Sequence, residues 1–309
     1  MEFDYQPLVL TEPKLIELPD HPISSKALRN WLANRGVSFL ERILLGIKPD
    51  DLAVFESTYA PPITTTKYPE NNVGRVRYYR ASKDAAVIIL PQRGGGYNFA
   101  QLFASYLAAN GISAYELETP FHGSRRIGTL RGGMPIELDE FKLMFRQAVT
   151  ETRGLVDLVK EKKVGICGLS LGAIYASIVY GVHERISSGC LVMGGGNIAD
   201  MLFESEDGFL RYLREEHLFE ERISREMLRN ELAEIEPCNY TKPNKSGNLL
   251  MINASRDIFI PPKCSEQLRE AWGNPIAYQI PTTHLSAVLY TRRIMKKMLE
   301  HFQRTLMQD

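Results

Sequence analysis

The pentapeptide Gly168-Leu169-Ser170-Leu171-Gly172 stands between a β-prone run, Val164 to Cys167, and a stretch of small and apolar residues at helical spacing. A serine between two glycines at such a turn fits two roles. The glycines can simply let a strand and a helix pack closely. They can also hold Ser170 on a sharp, strained turn with its hydroxyl above the sheet, as nucleophilic attack requires. A serine hydroxyl is a poor nucleophile at neutral pH unless an imidazole takes its proton and a carboxylate orients that imidazole. For a serine on a strand–turn–helix elbow, the expected chain order is serine, acid, histidine.

Four of the six histidines follow Ser170. His183 is expected at the far end of the helix that starts at the serine, pointing away from it. His217 sits in the charged run "REEHLFEER" and His301 in the closing helix, and both read as surface residues. His284, in "QIPTTHLSAV", falls on a loop after the last strand and is the expected base. Asp257, in "LLMINASRDIFIPP", lies just past a strongly apolar strand. Its alternative role is that of a turn-forming aspartate. Asp200 and Asp207 lack a strand behind them.

The oxyanion formed on attack at an ester carbonyl needs fixed N–H donors. One is expected to be the backbone N–H of Leu171, at a helix N-terminus where the dipole favours negative charge. The other is expected from "PQRGGGYN" after the strand ending near Leu90, with Arg93 or Gly94 as the donor. This glycine run has neither a G-K-[ST] ending nor G-x-G-x-x-G spacing, so it reads poorly as a phosphate cradle. Arg93, Arg125 and Arg126 all fall on loops expected at the carboxyl edge of the sheet, where they could meet an anionic group of a substrate. Pairing with local acids such as Glu116 or Glu118 is the competing expectation. His122, outside the serine–acid–histidine order, reads as a structural hydrogen-bonding residue.

These positions need elements to hold them. "AVFESTYAPP" and "GRVRYYRAS" read as early strands, and "AAVIILPQ" as a strand buried on both faces. Strands and helices then alternate to the end of the chain, which predicts a doubly wound, mainly parallel sheet with helices on both faces. Ligands of such sheets bind at the carboxyl ends of the strands. Residues 1–50 read as a helical extension packed on the main domain, with Val37, Phe39, Leu40, Ile43, Leu44 and Ile47 on one face. Residues 51–309 read as one domain, with a helical cap inserted at 197–236. In that cap Phe209, Leu210, Tyr212 and Leu213 share one helical face, and Ile223, Met227 and Leu228 another. Phe209 and Tyr212 are therefore expected to contact substrate.

The chain resembles α/β-hydrolase fold enzymes, esterase- or lipase-like, over about residues 55 to 305. The matching pieces are the elbow "GLSLG", the acid loop "SRDIFIPP", the histidine loop "TTHLS" and the loop "ELETPFHGSRR". The last stretch and the elbow are also similar to the branch called abhydrolase domain-containing eighteen. The resemblance implies a serine esterase that acts through an acyl-enzyme on a small-molecule ester, without metal or cofactor. Other acyl chemistry on the same triad (peptidase, thioesterase, C–C hydrolase or acyltransferase) is the alternative, followed by a non-catalytic binding protein that keeps the fold. One departure concerns the oxyanion strand end, where Pro91-Gln92 replaces the His-Gly of many relatives.

Composition is that of an ordinary soluble globular protein. Hydrophobic residues are 44% and charged residues 24% of the 309. Lys plus Arg and Asp plus Glu are both 37, a balance that argues against nucleic-acid binding. No run approaches the ~18 apolar residues of a membrane span. The N-terminal "MEFDYQPLVLTEPK" has no signal-peptide core. The four cysteines show no metal-ligand spacing, and Cys167 and Cys190 read as buried thiols, so a cytoplasmic protein is expected.

Overall fold

An uninterrupted apolar run such as Ala85–Leu90 is stable as a strand only when both its faces are covered, and each of these six residues is fully buried. The computed structural model describes residues 8–16, 52–94, 97–127, 135, 137–206, 210 and 224–308. Among them nine strands form one sheet: β1 (Lys14–Ile16), β2 (Ala53–Tyr59), β3 (Gly74–Arg80), β4 (Ala85–Leu90), β5 (Ser113–Leu117), β6 (Lys163–Leu169), β7 (Ile186–Val192), β8 (Leu249–Ala254) and β9 (Ile276–Ile280). Their spatial order is β1-β2-β3-β5-β4-β6-β7-β8-β9. The pairs β1–β2, β2–β3 and β3–β5 are antiparallel, and all pairs from β5 through β9 are parallel.

Side chains alternate across a strand, so β4 splits its residues between two cores. Ala86, Ile88 and Leu90 join one that includes α2 (Leu138–Leu158), α3 (Leu171–Val182) and α6 (Pro262–Ala271). Ala85, Val87 and Ile89 join the other, beneath α1 (Tyr97–Ala109) and α7 (Thr291–Leu306). The stripe Phe141, Met144, Phe145, Ala148, Val149 explains why α2 lies flat on the sheet. Two shorter helices, α4 (Ile198–Glu204) and α5 (Arg225–Leu232), lie between β7 and β8. The fold is thus the doubly wound α/β sheet the alternation of elements predicts.

The N-terminal stretch holds one feature the sequence reading lacks. Its described part is extended rather than helical: β1 pairs with β2, Leu10 bridges to Tyr59, and Leu8 is buried. Three residues are too few to show a strand period. The helical face expected over Val37 to Ile47 lies outside the described residues. Among the described residues, no helix is long and apolar enough to cross a membrane.

Candidate active site

The turn from β6 to α3 is tight because two residues lack side chains. A Cβ on Gly168 would stand 2.1 Å from the Gly172 carbonyl oxygen, and one on Gly172 would stand 2.3 Å from Leu90 O and 2.5 Å from Pro91 O. Backbone, not a flexible side chain, blocks both positions. Ser170 between them takes φ 53° and ψ −116°, a region that non-glycine residues avoid. Such strain costs on the order of 1–3 kcal/mol, and it persists only where the surroundings impose it. Here Ser170 N–H donates to Val192 O on β7 at 2.8 Å, which fixes the turn against the neighbouring strand. Gly172→Ala is therefore expected to separate the elbow from the β4 end. Reactivity of Ser170 toward a fluorophosphonate probe should then fall at least tenfold, while a surface glycine variant, Gly247→Ala, keeps it; Gly247 has open space around it.

Two loops bring polar partners to this serine. His284 follows β9, and its Nε2 is 2.8 Å from Ser170 Oγ. Its Nδ1 is 2.6 Å from Asp257 Oδ2, on the loop after β8. A carboxylate can only accept, so Nδ1 carries the proton and Nε2 presents its lone pair to the serine hydroxyl. The other Asp257 oxygen accepts from the backbone N–H groups of Phe259 and Ile260, at 2.9 and 3.0 Å. Asp257 is thus a turn-former and a partner of the imidazole at once. The arrangement can pull a proton from Ser170 and hold it on a carboxylate-oriented ring.

The first N–H of an α-helix has no partner inside the helix, and in α3 that residue is Leu171, directly after the serine. The close approach of Leu90 and Pro91 to Gly172 brings the Arg93–Gly94 loop to the same edge, where Gly94 adopts φ 70°. Beside Ser170 lies a cavity with mostly apolar walls. Phe141 and Phe145 of α2, Ile174 of α3, and Ile198, Met201 and Leu202 of α4 line it. Leu171, Leu210, Phe259, Ile260 and Arg93 complete the described lining. Phe141 and Phe145 are not among the site residues expected from the sequence, and neither is Phe259, though it follows Asp257 by only two positions.

Arg125 does not stand at the mouth. Its guanidinium has no exposed surface and binds both oxygens of Glu151, at 2.7 and 2.8 Å, with a further bond to Asn71 O at 2.6 Å. Full burial demands a matched carboxylate, and Glu151 on α2 supplies it rather than Glu116 or Glu118. Arg126 is exposed. His122 is buried and donates Nδ1–H to Pro120 O at 2.7 Å. Burial pushes its pKa down to about 4 against the effect of that bond, with Arg93, Arg125 and Arg126 adding to the shift, so the ring is neutral at neutral pH. His183, at the end of α3, lies 3.2 Å from Asp157. His301 is not a surface residue: it is buried, with Nε2 beside Ser188 Oγ at 3.1 Å and Asn248 O at 3.2 Å. Phe209, Tyr212 and His217 lie outside the described residues. Met227 is exposed while Leu228 is buried, so the apolar face expected to join them is divided. Among the described residues no group of three or more His, Cys, Asp or Glu side chains is gathered to hold a metal.

In structure the chain is similar to an acetyl xylan esterase from Paenibacillus sp. R4, with TM-score 0.63, 13% identity, and 96% of this chain and 89% of that one covered. It is similar too to a cold-adapted esterase from an Arctic intertidal metagenomic library, with TM-score 0.54, 15% identity, and coverage of 82% and 94%. Acylaminoacyl peptidase from Pyrococcus horikoshii gives TM-score 0.56 at 14% identity, over 76% of this chain and 40% of that one. These proteins share the α/β-hydrolase fold, and this chain has that fold. No family model matches the chain, and no curated protein matches it in sequence.

Proposed function

We propose that the protein is a serine hydrolase that cleaves a carboxylic ester of a small molecule through an acyl-enzyme. Ser170 Oγ attacks the ester carbonyl carbon as its proton passes to His284 Nε2. The tetrahedral intermediate collapses, and His284 returns the proton to the leaving alcohol. Water then attacks the acyl-serine with His284 as base, which releases the acid and restores Ser170. Asp257 holds the imidazole in the tautomer this needs. The oxyanion binds the N–H of Leu171 and that of Arg93 or Gly94, donors worth about 2.7–4 kcal/mol each in comparable sites. The observation that carries this reading is the chain of short contacts from Ser170 Oγ through His284 to Asp257, at 2.8 and 2.6 Å. A fluorophosphonate probe should modify Ser170 and no other residue, and p-nitrophenyl esters should be turned over. A protein that hydrolyses such esters with Ser170 unlabelled would need another nucleophile.

Residues 197–236 are the proposed cap over this site. Three features support a unit that leaves and rejoins the domain at one place. The Glu236 carboxylate accepts from the backbone N–H groups of Asn197 and Ile198, at 2.6 and 2.7 Å, and so joins the two ends. Arg229 binds Asp200 at 2.6 Å and Arg225 binds Glu204 at 2.9 Å, which fastens α5 to α4. Ile198, Met201 and Leu202 of α4, with Leu210, face the cavity. A bulkier side chain there should shorten the acyl chain the enzyme accepts. Leu202→Phe is expected to lower kcat/KM for octanoyl esters at least tenfold relative to acetyl esters, with probe labelling of Ser170 retained. An unchanged chain-length profile would remove α4 from the acyl wall. The four cysteines are free thiols, which supports the cytoplasmic reading.

A further inference from the structure

The proton that leaves Ser170 Oγ arrives on His284 Nε2 while Nδ1 keeps its own. The imidazole is therefore a cation until Nε2 gives that proton to the departing alcohol. Asp257 Oδ2, 2.6 Å from Nδ1, meets the charge at the ring's edge. The ring's face meets Phe259, with centroids 5.0 Å apart and planes 34° apart. At that separation and tilt the two rings are stacked rather than edge-on. An aromatic face carries negative potential, so it attracts an imidazolium and does far less for a neutral imidazole. Screening by water is weak at this place: the His284 side chain is 11% exposed, and Phe259 lines the cavity with mostly apolar walls.

The carboxylate that orients the imidazole also places this ring. Phe259 N–H donates to Asp257 Oδ1 at 2.9 Å, while Asp257 Oδ2 faces His284. The carbonyl before it, Ile258 O, accepts from Ser205 Oγ at 2.8 Å and from Glu206 N–H at 3.2 Å. Pro261 and Pro262 stiffen the chain just beyond. The other phenylalanines of the cavity have different ring partners: Phe141 meets Phe145, and Phe145 meets Tyr175. An interaction that strengthens only when the imidazole becomes charged lowers the barrier rather than tightening substrate binding. We propose that Phe259 is a positioning residue whose π face stabilises the imidazolium form of His284, and that it raises the rate of acyl transfer through that ring. This rests on the serine-hydrolase reading, in which His284 is the base.

The test changes the face of the ring and leaves its frame. In the full chain, Phe259→4-fluorophenylalanine, Phe259→3,5-difluorophenylalanine and Phe259→3,4,5-trifluorophenylalanine weaken the negative face step by step. With p-nitrophenyl butyrate, kcat and kcat/KM are expected to fall together along the series, by about three- to tenfold in all, with KM held. Acylation and deacylation both pass through the imidazolium, so either step as the slow one gives this result. Phe259→4-methylphenylalanine adds more bulk than one fluorine and keeps the face, so it should retain wild-type turnover. The urea midpoint should not follow the series. The Arg93 guanidinium carbon lies 5.7 Å from the centre of the same ring, so the series is repeated in Arg93→Met, where the same stepwise decline is expected. A flat series overturns the proposal, as does a decline in KM terms alone, which would make the ring a substrate contact. Equal losses in the 4-methyl and trifluoro variants, or a decline that vanishes in Arg93→Met, overturn it too. The two readings fail separately: labelled Ser170 and ester turnover with a flat series sink only this inference, whereas absent labelling and absent turnover sink both.

Discussion

Ser170→Ala is expected to lower kcat on an ester by roughly 10⁴- to 10⁶-fold, and His284→Ala by a similar factor, because nucleophile and base act as one unit. The paired variant should be little worse than either alone. Once the hydroxyl is absent the imidazole has no proton to take, and without the base the hydroxyl attacks slowly. Asp257→Asn separates two jobs of one carboxylate. The side-chain oxygen can still accept from Phe259 and Ile260 N–H, which now bond to Asp257 Oδ1 at 2.9 and 3.0 Å. The new amide, however, would point an N–H at His284 Nδ1, which is 2.6 Å from Asp257 Oδ2 in the native protein. The ring must then move its proton to Nε2, where it can no longer accept from Ser170. A severe loss is expected, about 10⁴-fold in a comparable triad, with folding intact. Pre-steady-state release of p-nitrophenol separates acylation from deacylation in each variant. Near wild-type turnover in Ser170→Ala would end the assignment.

The order of the elements was readable because each main strand carries its own signal. Ala85–Leu90 is apolar at every position, and the helices between strands show apolar stripes bounded by glycine or charge. The elbow was readable for a local reason: Gly168 and Gly172 are each required by backbone only a few residues away or on the adjacent strand. His284 could be chosen among the histidines because its loop follows a strand and precedes a helix. His301 was misread for the converse reason. Its helix is amphipathic, but the contact that buries it comes from Ser188 and Asn248, far away in sequence. Arg125 shows the same limit. Three arginines within one sheet-edge region look alike in sequence, and only the packing of α2 decides that Glu151 meets the second of them. The strand at Lys14–Ile16 left no period to find, because β2 supplies its ladder.

Breaking the Arg125–Glu151 pair is expected to be the most destabilising single change outside the elbow. Both side chains are fully buried, so Glu151→Ala leaves a guanidinium with only the carbonyl oxygens of Asn71 and Glu118 to meet it. Removing one partner of such a pair costs about 3–5 kcal/mol, a large share of the roughly 5–15 kcal/mol that holds a typical domain folded. The loss should appear as a lower urea midpoint with an unchanged slope. Removing both charges, Arg125→Met with Glu151→Leu, should recover part of it, since no unpaired ion remains. Recovery should stay incomplete, because Tyr59 O–H now donates to Glu151 at 2.7 Å and Asn71 O now accepts from Arg125. Each would lose that bond, at about 0.5–1.5 kcal/mol apiece. The pair also has a positional consequence. Arg125 lies three residues after His122 on the loop following β5, and Glu151 lies on the helix whose Phe141 and Phe145 wall the cavity. The ion pair thus fastens a loop at the sheet edge to one wall of the site. In Glu151→Ala, probe labelling of Ser170 should decline with urea in step with unfolding rather than before it. If Arg125→Ala instead left stability unchanged and altered the preference between anionic and neutral esters, Arg125 would belong to the mouth of the site after all.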